Sequence, residues 1–389
     1  MKKITLLLLS LLFLSACSAP TKNYEQHYQS TFLAVKDIQI FDEERKEIGS
    51  ISAGSIVILN EESDHNQEYF KLDNFPYYIY YEDVGTPTER PPFVSFPNYV
   101  LFPEEMVTKE VAHLYTLDEQ LYLTINDAVH APILIKEENF YTIQWENTYY
   151  KIPVTDIEEI VTTSSKVETA SEISVLMYHF FYNKDNGETP LDNNWLEVKQ
   201  FEEQLQYLIE NDYHVLSMLE LEKYLKGEVL VHKKSIVITI DDGDPSVYKY
   251  AYPLLEKYQV RATTFLVTSW YWWDIDNRIN PYIELQSHSH DMHKGGCNIQ
   301  HGGRMLCIDF EEGVQDLITS QEYLYGAFVF CYPFGDFNNH AKEMLTAAGY
   351  RLAFTTQPGK VRPGMDLLEL PRVRIHNALT LQQFIISIQ

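Results

Sequence analysis

From Ile173 onward, strand-length apolar runs alternate with amphipathic stretches, and this alternation leaves the chain few ways to fold. The runs occupy 173–178, 235–240, 262–267, 283–286, 327–332 and 352–355, with stretches such as Phe201 to Glu210 and Glu311 to Leu324 between them. Near-continuous Val, Ile and Leu runs suit strands buried on both faces, and strands separated by helices lie parallel. The expectation for 173–389 is an α/β domain, a parallel sheet either doubly wound or closed as a barrel.

The polar residues gather where these runs end. His179 follows Ile173-Ser174-Val175-Leu176-Met177-Tyr178, Asp241-Asp242-Gly243 follows Ser235 to Ile240, and His288-Ser289-His290-Asp291-Met292-His293 follows Ile283-Glu284-Leu285-Gln286. In a parallel barrel the C-terminal strand ends open on one rim, so these distant segments would converge. Taken singly they have plainer readings: paired aspartates start turns or cap helices, and His179 alone reads as a turn histidine. Three histidines in six residues at a strand end point instead to a divalent transition metal, which neutral imidazoles and one carboxylate suit.

The N-terminus reads as an address. Lys2 and Lys3 precede an apolar run from Ile4 to Ala16, too short for the ~20 residues of a membrane-spanning helix. Leu14-Ser15-Ala16-Cys17 resembles a bacterial lipobox. That resemblance implies a signal peptide over 1–16, lipidation of Cys17, a tether over 17–30 and an anchor on the outer face of the membrane. The alternative is an ordinary cut near Ala19.

Between tether and barrel lie short β-branched and aromatic runs such as Val35 to Phe41, Ile56 to Leu59 and Tyr77 to Tyr81. The rhythm repeats in Val111 to Asp118, Ala131 to Ile135 and Thr148 to Ile152. Two small all-β domains are expected, 31–86 and 98–160, followed by a linker over 161–172. Both resemble bacterial SH3-like modules, as spacers or as wall-binding units.

At the strand ends a second resemblance appears. Thr239-Ile240-Asp241-Asp242-Gly243, the histidine run and Tyr332-Pro333-Phe334-Gly335 resemble, in order, the three motifs of the NodB-like polysaccharide deacetylases. The resemblance covers 173–376 and implies a distorted (β/α) barrel, one divalent metal and removal of acetyl from N-acetylated sugars. It implies Asp242, His288 and His293 as metal ligands, Asp241 as general base, His179 as general acid and Tyr332, Pro333, Phe334 and Gly335 at the substrate. Zinc is the expected metal, with cobalt, nickel or iron as alternatives. The sequence departs from the common pattern in three places. His288 and His293 are five apart rather than four, Phe330-Cys331 stands where the third motif carries arginine, and Asp244 stands where an aromatic is common. The longer histidine spacing, with Tyr178-His179, is similar to the branch acting on poly-β-1,6-N-acetylglucosamine.

Several residues keep open readings. His290 is an alternative ligand, Asp291 is a candidate for orienting a ligand from behind, and His376 is compared with the family's late histidine without being assigned to it. Trp270, Trp272 and Trp273 form either a sugar-stacking wall or rim packing. Cys297 and Cys307, ten apart in a Gly-rich loop, are a candidate disulfide in an oxidising setting, provided their Cα atoms come within about 7 Å. Cys331 is then a buried free thiol.

The formal charge is −26, and −28 once Lys2 and Lys3 are removed, which excludes nucleic acid as a partner because such binding neutralises phosphates with Lys and Arg. A 45% hydrophobic and 14% aromatic content supports packed domains rather than disorder. The expected protein is a lipid-anchored monomer that deacetylates N-acetylglucosamine units of a cell-envelope polysaccharide, peptidoglycan or a wall-linked polymer first and poly-β-1,6-N-acetylglucosamine as the alternative. A non-catalytic carbohydrate- or metal-binding lipoprotein is the reading from another class. No Gly-x-Ser-x-Gly elbow supports a serine esterase.

Overall fold

The computed structural model describes residues 31–60, 68–73, 75–91, 93–145, 148–164 and 167–389. The signal segment, Cys17 and the tether lie outside them. Among the described residues no helix is long and apolar enough to cross a membrane.

Seven parallel strands close a barrel: β1 (Ser174–Tyr178), β2 (Ser235–Ile240), β3 (Ala262–Leu266), β4 (Ile283–Ser287), β5 (Val329–Cys331), β6 (Leu352–Pro358) and β7 (Leu370–Arg374). They follow one another round the ring in chain order, and β1 closes it by pairing with both β2 and β7. Ser174 lies opposite Ile236 and Tyr178 opposite Ile240, so β1 and β2 end level. The other edge of β2 is shared, with His214–Val215 pairing at its start and β3 joining only at Thr239. That sharing distorts the barrel.

Every residue of β1, β2 and β3 is buried, which explains their lack of charged residues and of an apolar–polar alternation. Val175, Val237, Phe265, Cys331 and Phe354 belong to one apolar cluster drawn from five strands. The alternate residues Leu176, Ile236, Ile238 and Ile240 pack with Phe201, Leu205 and Leu208 of α1 (Val198–Glu210) and with Leu255 of α3 (Tyr252–Tyr258), α2 being Met218–Leu225. The remaining helices are α4 (Phe310–Tyr323), α5 (Asn339–Ala347) and α6 (Leu381–Ile388), with a single helical turn at Thr268–Tyr271. Acidic caps start two of them. Glu197 accepts from Lys199 N and Gln200 N, and Asp309 from Glu311 N and Glu312 N, the aspartate cap contributing about 1 kcal/mol.

The seventh strand is absent from the sequence reading. Leu370-Pro371-Arg372-Val373-Arg374 lacks a continuous apolar run, because one of its inward positions is an arginine, fully buried.

The chain divides into two compact units. One, within 1–93, 109–129 and 146–148, is all-β in its described part. Leu121–Ile125, Glu47–Ile51, Ile38–Phe41, Tyr78–Tyr80 and Tyr69–Lys71 lie side by side in that order, with Phe32, Ile40, Ile51, Phe70, Ile79 and Leu123 fully buried. The other unit holds the barrel and the antiparallel strands Ile157–Thr162, Glu104–Thr108, His130–Lys136 and Phe140–Trp145. Within it Tyr99–Val100 pairs with Leu230–Val231, and Lys223 of α2 bonds Glu137 (2.7 Å) and Glu228 (3.1 Å).

Candidate active site at the strand ends

The level ends of β1 and β2 bring His179 beside the aspartates. His179 Nε2 lies 3.8 Å from Asp241 Oδ2, and Asp241 N donates to Tyr178 O at 3.0 Å. Asp242 and Gly243 then take left-handed conformations, φ 70° and 74°, and for a residue with a Cβ this costs about 1–2 kcal/mol. The turn is held because Gly243 O accepts from the buried Arg278 Nη1 at 2.6 Å. It separates the two carboxylates and gives each a different company.

Asp242 faces the histidine run. Its Oδ1 lies 3.2 Å from both His288 Nε2 and His293 Nε2, and the three groups form a cluster able to hold an ion. His288 Nδ1 is bonded to Cys331 O at 2.7 Å, which leaves Nε2 to carry the lone pair, the arrangement a metal-ligating imidazole needs. Burial raises the Asp242 pKa, but the bonds from His288 and His293 outweigh it and hold the carboxyl well below the usual range. The donor set of two imidazoles and one carboxylate fits a divalent ion with open positions for other ligands.

Asp241 faces the barrel interior and meets Arg372. Nη1 donates to Asp241 Oδ1 (2.8 Å) and Thr239 Oγ1 (3.0 Å), Nη2 to Asp241 Oδ2 (2.7 Å) and Cys331 Sγ (3.0 Å), and Nε to Thr355 O (3.0 Å). All five donors of the guanidinium are thus used. Burial pushes the Asp241 carboxyl up, and the Arg372 charge overcomes it, so the group is a buried carboxylate. Sequence reasoning missed Arg372. The partner of Asp241 comes from β7, where no motif spacing announces it.

His179 is desolvated. Burial lowers its pKa against the opposing pull of Asp241, and its Nδ1 is buried without a hydrogen-bond partner. The His179 and Asp242 side chains keep 15% and 13% of their surface, so the site opens to solvent on one side.

The other sequence candidates fall at different distances from this centre. His290 turns away, its Nδ1 bonded to Thr268 Oγ1 at 3.0 Å and its ring stacked on Tyr323, so the outer pair His288 and His293 faces Asp242. Asp291 is exposed beside Lys294 and touches neither ligand, which corrects its expected role. Asp244 accepts from Ser246 N at 2.8 Å, a turn-capping bond. His376 lies beyond β7 with a buried, unpartnered Nδ1, outside the groups around Asp241 and Asp242.

In the third motif Phe334 alone presents a side chain at the mouth: it is 40% exposed, φ 63°, with its ring 4.6 Å from that of His293. Tyr332 is fully buried and donates to Leu368 O, which puts its ring in the core rather than at a sugar subsite. Pro333 is buried, and Gly335, φ 76°, could not carry a Cβ, which would lie 2.0 Å from Thr356 Oγ1. Trp270 meets His293 edge-on at 5.1 Å, while Trp272 and Trp273 are exposed. Cys297 and Cys307 are bonded, their Cα atoms 5.9 Å apart, and Cys331 is free and buried.

With a place for a divalent ion beside an ionised buried carboxylate and a desolvated imidazole, the barrel has the parts a hydrolase needs. Residues 229–353 match the family model described as polysaccharide deacetylase. The barrel therefore carries a match to the polysaccharide deacetylase domain, and relatives of the chain are deacetylases by name. Over 231 residues the chain is 27% identical to a poly-beta-1,6-N-acetyl-D-glucosamine N-deacetylase of Staphylococcus epidermidis, covering 52% of this chain and 78% of that protein. It is 26% identical to the protein of the same name from Staphylococcus aureus, covering 54% and 76%. Among solved structures, Streptococcus pyogenes deacetylase PplD in complex with acetate aligns with a TM-score of 0.49 at 22% identity, covering 57% of this chain and 100% of that one.

Proposed function

We propose that this deacetylase removes acetyl from N-acetylglucosamine units of a cell-envelope polysaccharide, with one divalent metal, zinc by preference, held by Asp242, His288 and His293. One observation carries the reading: a carboxylate oxygen equidistant, at 3.2 Å, from two imidazole nitrogens, next to a second carboxylate kept ionised by a buried arginine.

What a divalent ion supplies there when bound is Lewis acidity towards water and the acetamide carbonyl. Asp241 takes the proton of the attacking water, and Arg372 keeps it ionised and fixes its direction. His179 gives a proton to the departing amine. Burial, which lowers its pKa, makes its imidazolium a ready donor, and the Asp241 charge 3.8 Å away favours the protonated form. The products are acetate and a free amino sugar. Phe334 and Trp270 offer apolar surface to the sugar on the His293 side.

Peptidoglycan or a wall-linked polymer is the first substrate reading. The names of the staphylococcal relatives favour a second, poly-β-1,6-N-acetylglucosamine. We place the protein on the outer face of the membrane through lipid on Cys17, as a monomer, with SH3-like N-terminal domains as spacers or wall-binding units. The Leu14-Ser15-Ala16-Cys17 segment supports the anchor.

The test is acetate release from β-1,4- and β-1,6-linked N-acetylglucosamine oligomers and from peptidoglycan, with zinc or cobalt restored and Asp241→Asn as control. Release that is lost in the control and confined to one linkage names the polymer. A metal-loaded protein that releases no acetate from any of them is instead a binding protein.

A further inference from the structure

The deacetylation chemistry makes no use of the stretch from Lys294 to Cys307, although it begins immediately after the ligand His293. The stretch folds back on itself. Gly295 pairs with Gly303, Gly296 N and Cys297 N donate to Gly302 O at 2.9 and 3.0 Å, Arg304 N donates to Lys294 O at 2.8 Å, and the Cys297–Cys307 bond ties its ends. One side of this closed loop is bonded to the segment after the Tyr332-Pro333-Phe334-Gly335 turn. Gln300 Nε2 donates to Phe337 O (2.7 Å) and Asn338 Nδ2 to Leu306 O (3.0 Å).

Asp336 stands at the centre of that seam. It is 1% exposed, and both its oxygens are taken by the loop: Oδ1 accepts from His301 Nδ1 (2.7 Å) and His301 N (3.3 Å), Oδ2 from Gly303 N (2.9 Å). The contact continues towards the metal site. A Cβ on Gly303 would lie 2.9 Å from Asp336 Oδ2 and 3.4 Å from Phe334 Cδ2, so the loop backbone lies directly on the Phe334 ring. That ring lies against His293, with centroids 4.6 Å apart. Side chains held by packing and hydrogen bonds behind a ligand set both its geometry and its affinity for metal.

We infer that Asp336 is a positioning residue: by latching the disulfide-closed loop against Phe334 it fixes the wall on which His293 rests, and it governs metal retention and substrate affinity rather than the chemical step. The substrate arm rests on the deacetylase reading, and the metal arm on the ligand trio alone.

The test uses the full chain, with Asp336→Ala, Asp336→Asn and His301→Ala. His301 is exposed, so its loss weakens the latch without disturbing the core. Cobalt titration of the metal-free proteins gives the metal Kd, and acetate release at saturating metal gives kcat and KM separately. Asp336→Ala is expected to weaken cobalt binding about tenfold, as loss of a residue supporting a ligand does. Its KM rises severalfold while kcat stays within about twofold of wild type, the signature of lost binding without lost transition-state contact. Asp336→Asn, which keeps one acceptor oxygen, falls between, and His301→Ala shifts both constants in the same direction by less. A lower kcat with unchanged KM and Kd marks a merely structural residue and overturns the inference, as does no change in any constant. Should Asp336→Ala not fold, His301→Ala decides by the same readings. If wild type binds cobalt yet deacetylates nothing, the substrate reading fails and the cobalt series alone decides the role of Asp336.

Discussion

Arg372 aims Nη1 and Nη2 at the two oxygens of Asp241, 2.8 and 2.7 Å away, from a strand 131 residues further along the chain. The pair is fully desolvated, so neither member is tolerated alone. Removing one partner of such a pair costs about 3–5 kcal/mol, because the other charge stays buried and unpaired. Arg372→Met is therefore expected to lower stability by about that much and to abolish acetate release, and Arg372→Lys not to restore it, since a point charge cannot grip both oxygens. The double variant Arg372→Met, Asp241→Asn regains part of the stability and none of the activity. Urea unfolding of the three variants checks this, and a double variant no more stable than Arg372→Met would refute the ion-pair account.

His179 lies outside the trio around Asp242, with its Nε2 3.8 Å from Asp241 Oδ2. His179→Asn is expected to lower kcat by about 10²–10⁴, the range for loss of one general acid, with metal affinity unchanged. Kinetics and cobalt titration on one preparation give both values. A matching loss of metal would make His179 a ligand and displace it from the acid role.

The histidine run offers an internal control for the metal site. His288 and His293 face Asp242, whereas His290 is engaged by Thr268 and Tyr323. Chelation should abolish acetate release and added zinc restore it. His288→Ala should lose the metal, and His290→Ala should keep both metal and activity. Metal content by elemental analysis decides, and a metal-free His290→Ala would reverse the ligand assignment.

The sequence carried the strands whose residues are buried on both faces, because a largely apolar, β-branched run such as Ser235 to Ile240 has no other good place in a fold. It carried the histidine cluster as well, since three histidines crowded at a strand end suit a metal better than a core, although His290 of that run packs on Tyr323. It hid β7, where Pro371, Arg372 and Arg374 interrupt the apolar text, and with it the partner of Asp241. A buried charge is recognisable only once its counter-charge is in space beside it. Tyr332 failed for the opposite reason: a motif position names a backbone place, and the side chain of this one is swallowed by the core while Phe334, two residues on, reaches the mouth.

The turn carrying the two aspartates depends on Gly243. At φ 74° it is left-handed, and a Cβ there would lie 2.2 Å from Leu266 Cδ2. Gly243→Ala is expected to cost about 1–3 kcal/mol of stability from overpacking and backbone strain together. Combining it with Leu266→Ala removes the clash but not the strain, so the double variant should lose less than the sum of the two single losses. Simple additivity in chemical denaturation would show that the close approach to Leu266 is not what limits this position.

Glu188 gives the fold a defined sensitivity to acid. Its Oε1 accepts from Tyr250 OH (2.6 Å) and Lys249 Nζ (3.1 Å), its Oε2 from Asn183 N (2.8 Å), and these bonds, the Tyr250 one foremost, bring its pKa down to about 2. A carboxyl whose pKa falls on folding binds its proton more readily in the unfolded chain. Its contribution is therefore complete above the unfolded value of about 4.3 and is lost as pH falls towards 2. Glu188→Gln removes that contribution at neutral pH and removes its pH dependence too, so the stability gap between wild type and variant should be constant above pH 5 and shrink between about pH 4 and 2. Thermal melts of both proteins across that window measure the gap. One that stays constant down to pH 2 would mean that the three bonds to Glu188 do not distinguish its ionised form from its protonated one.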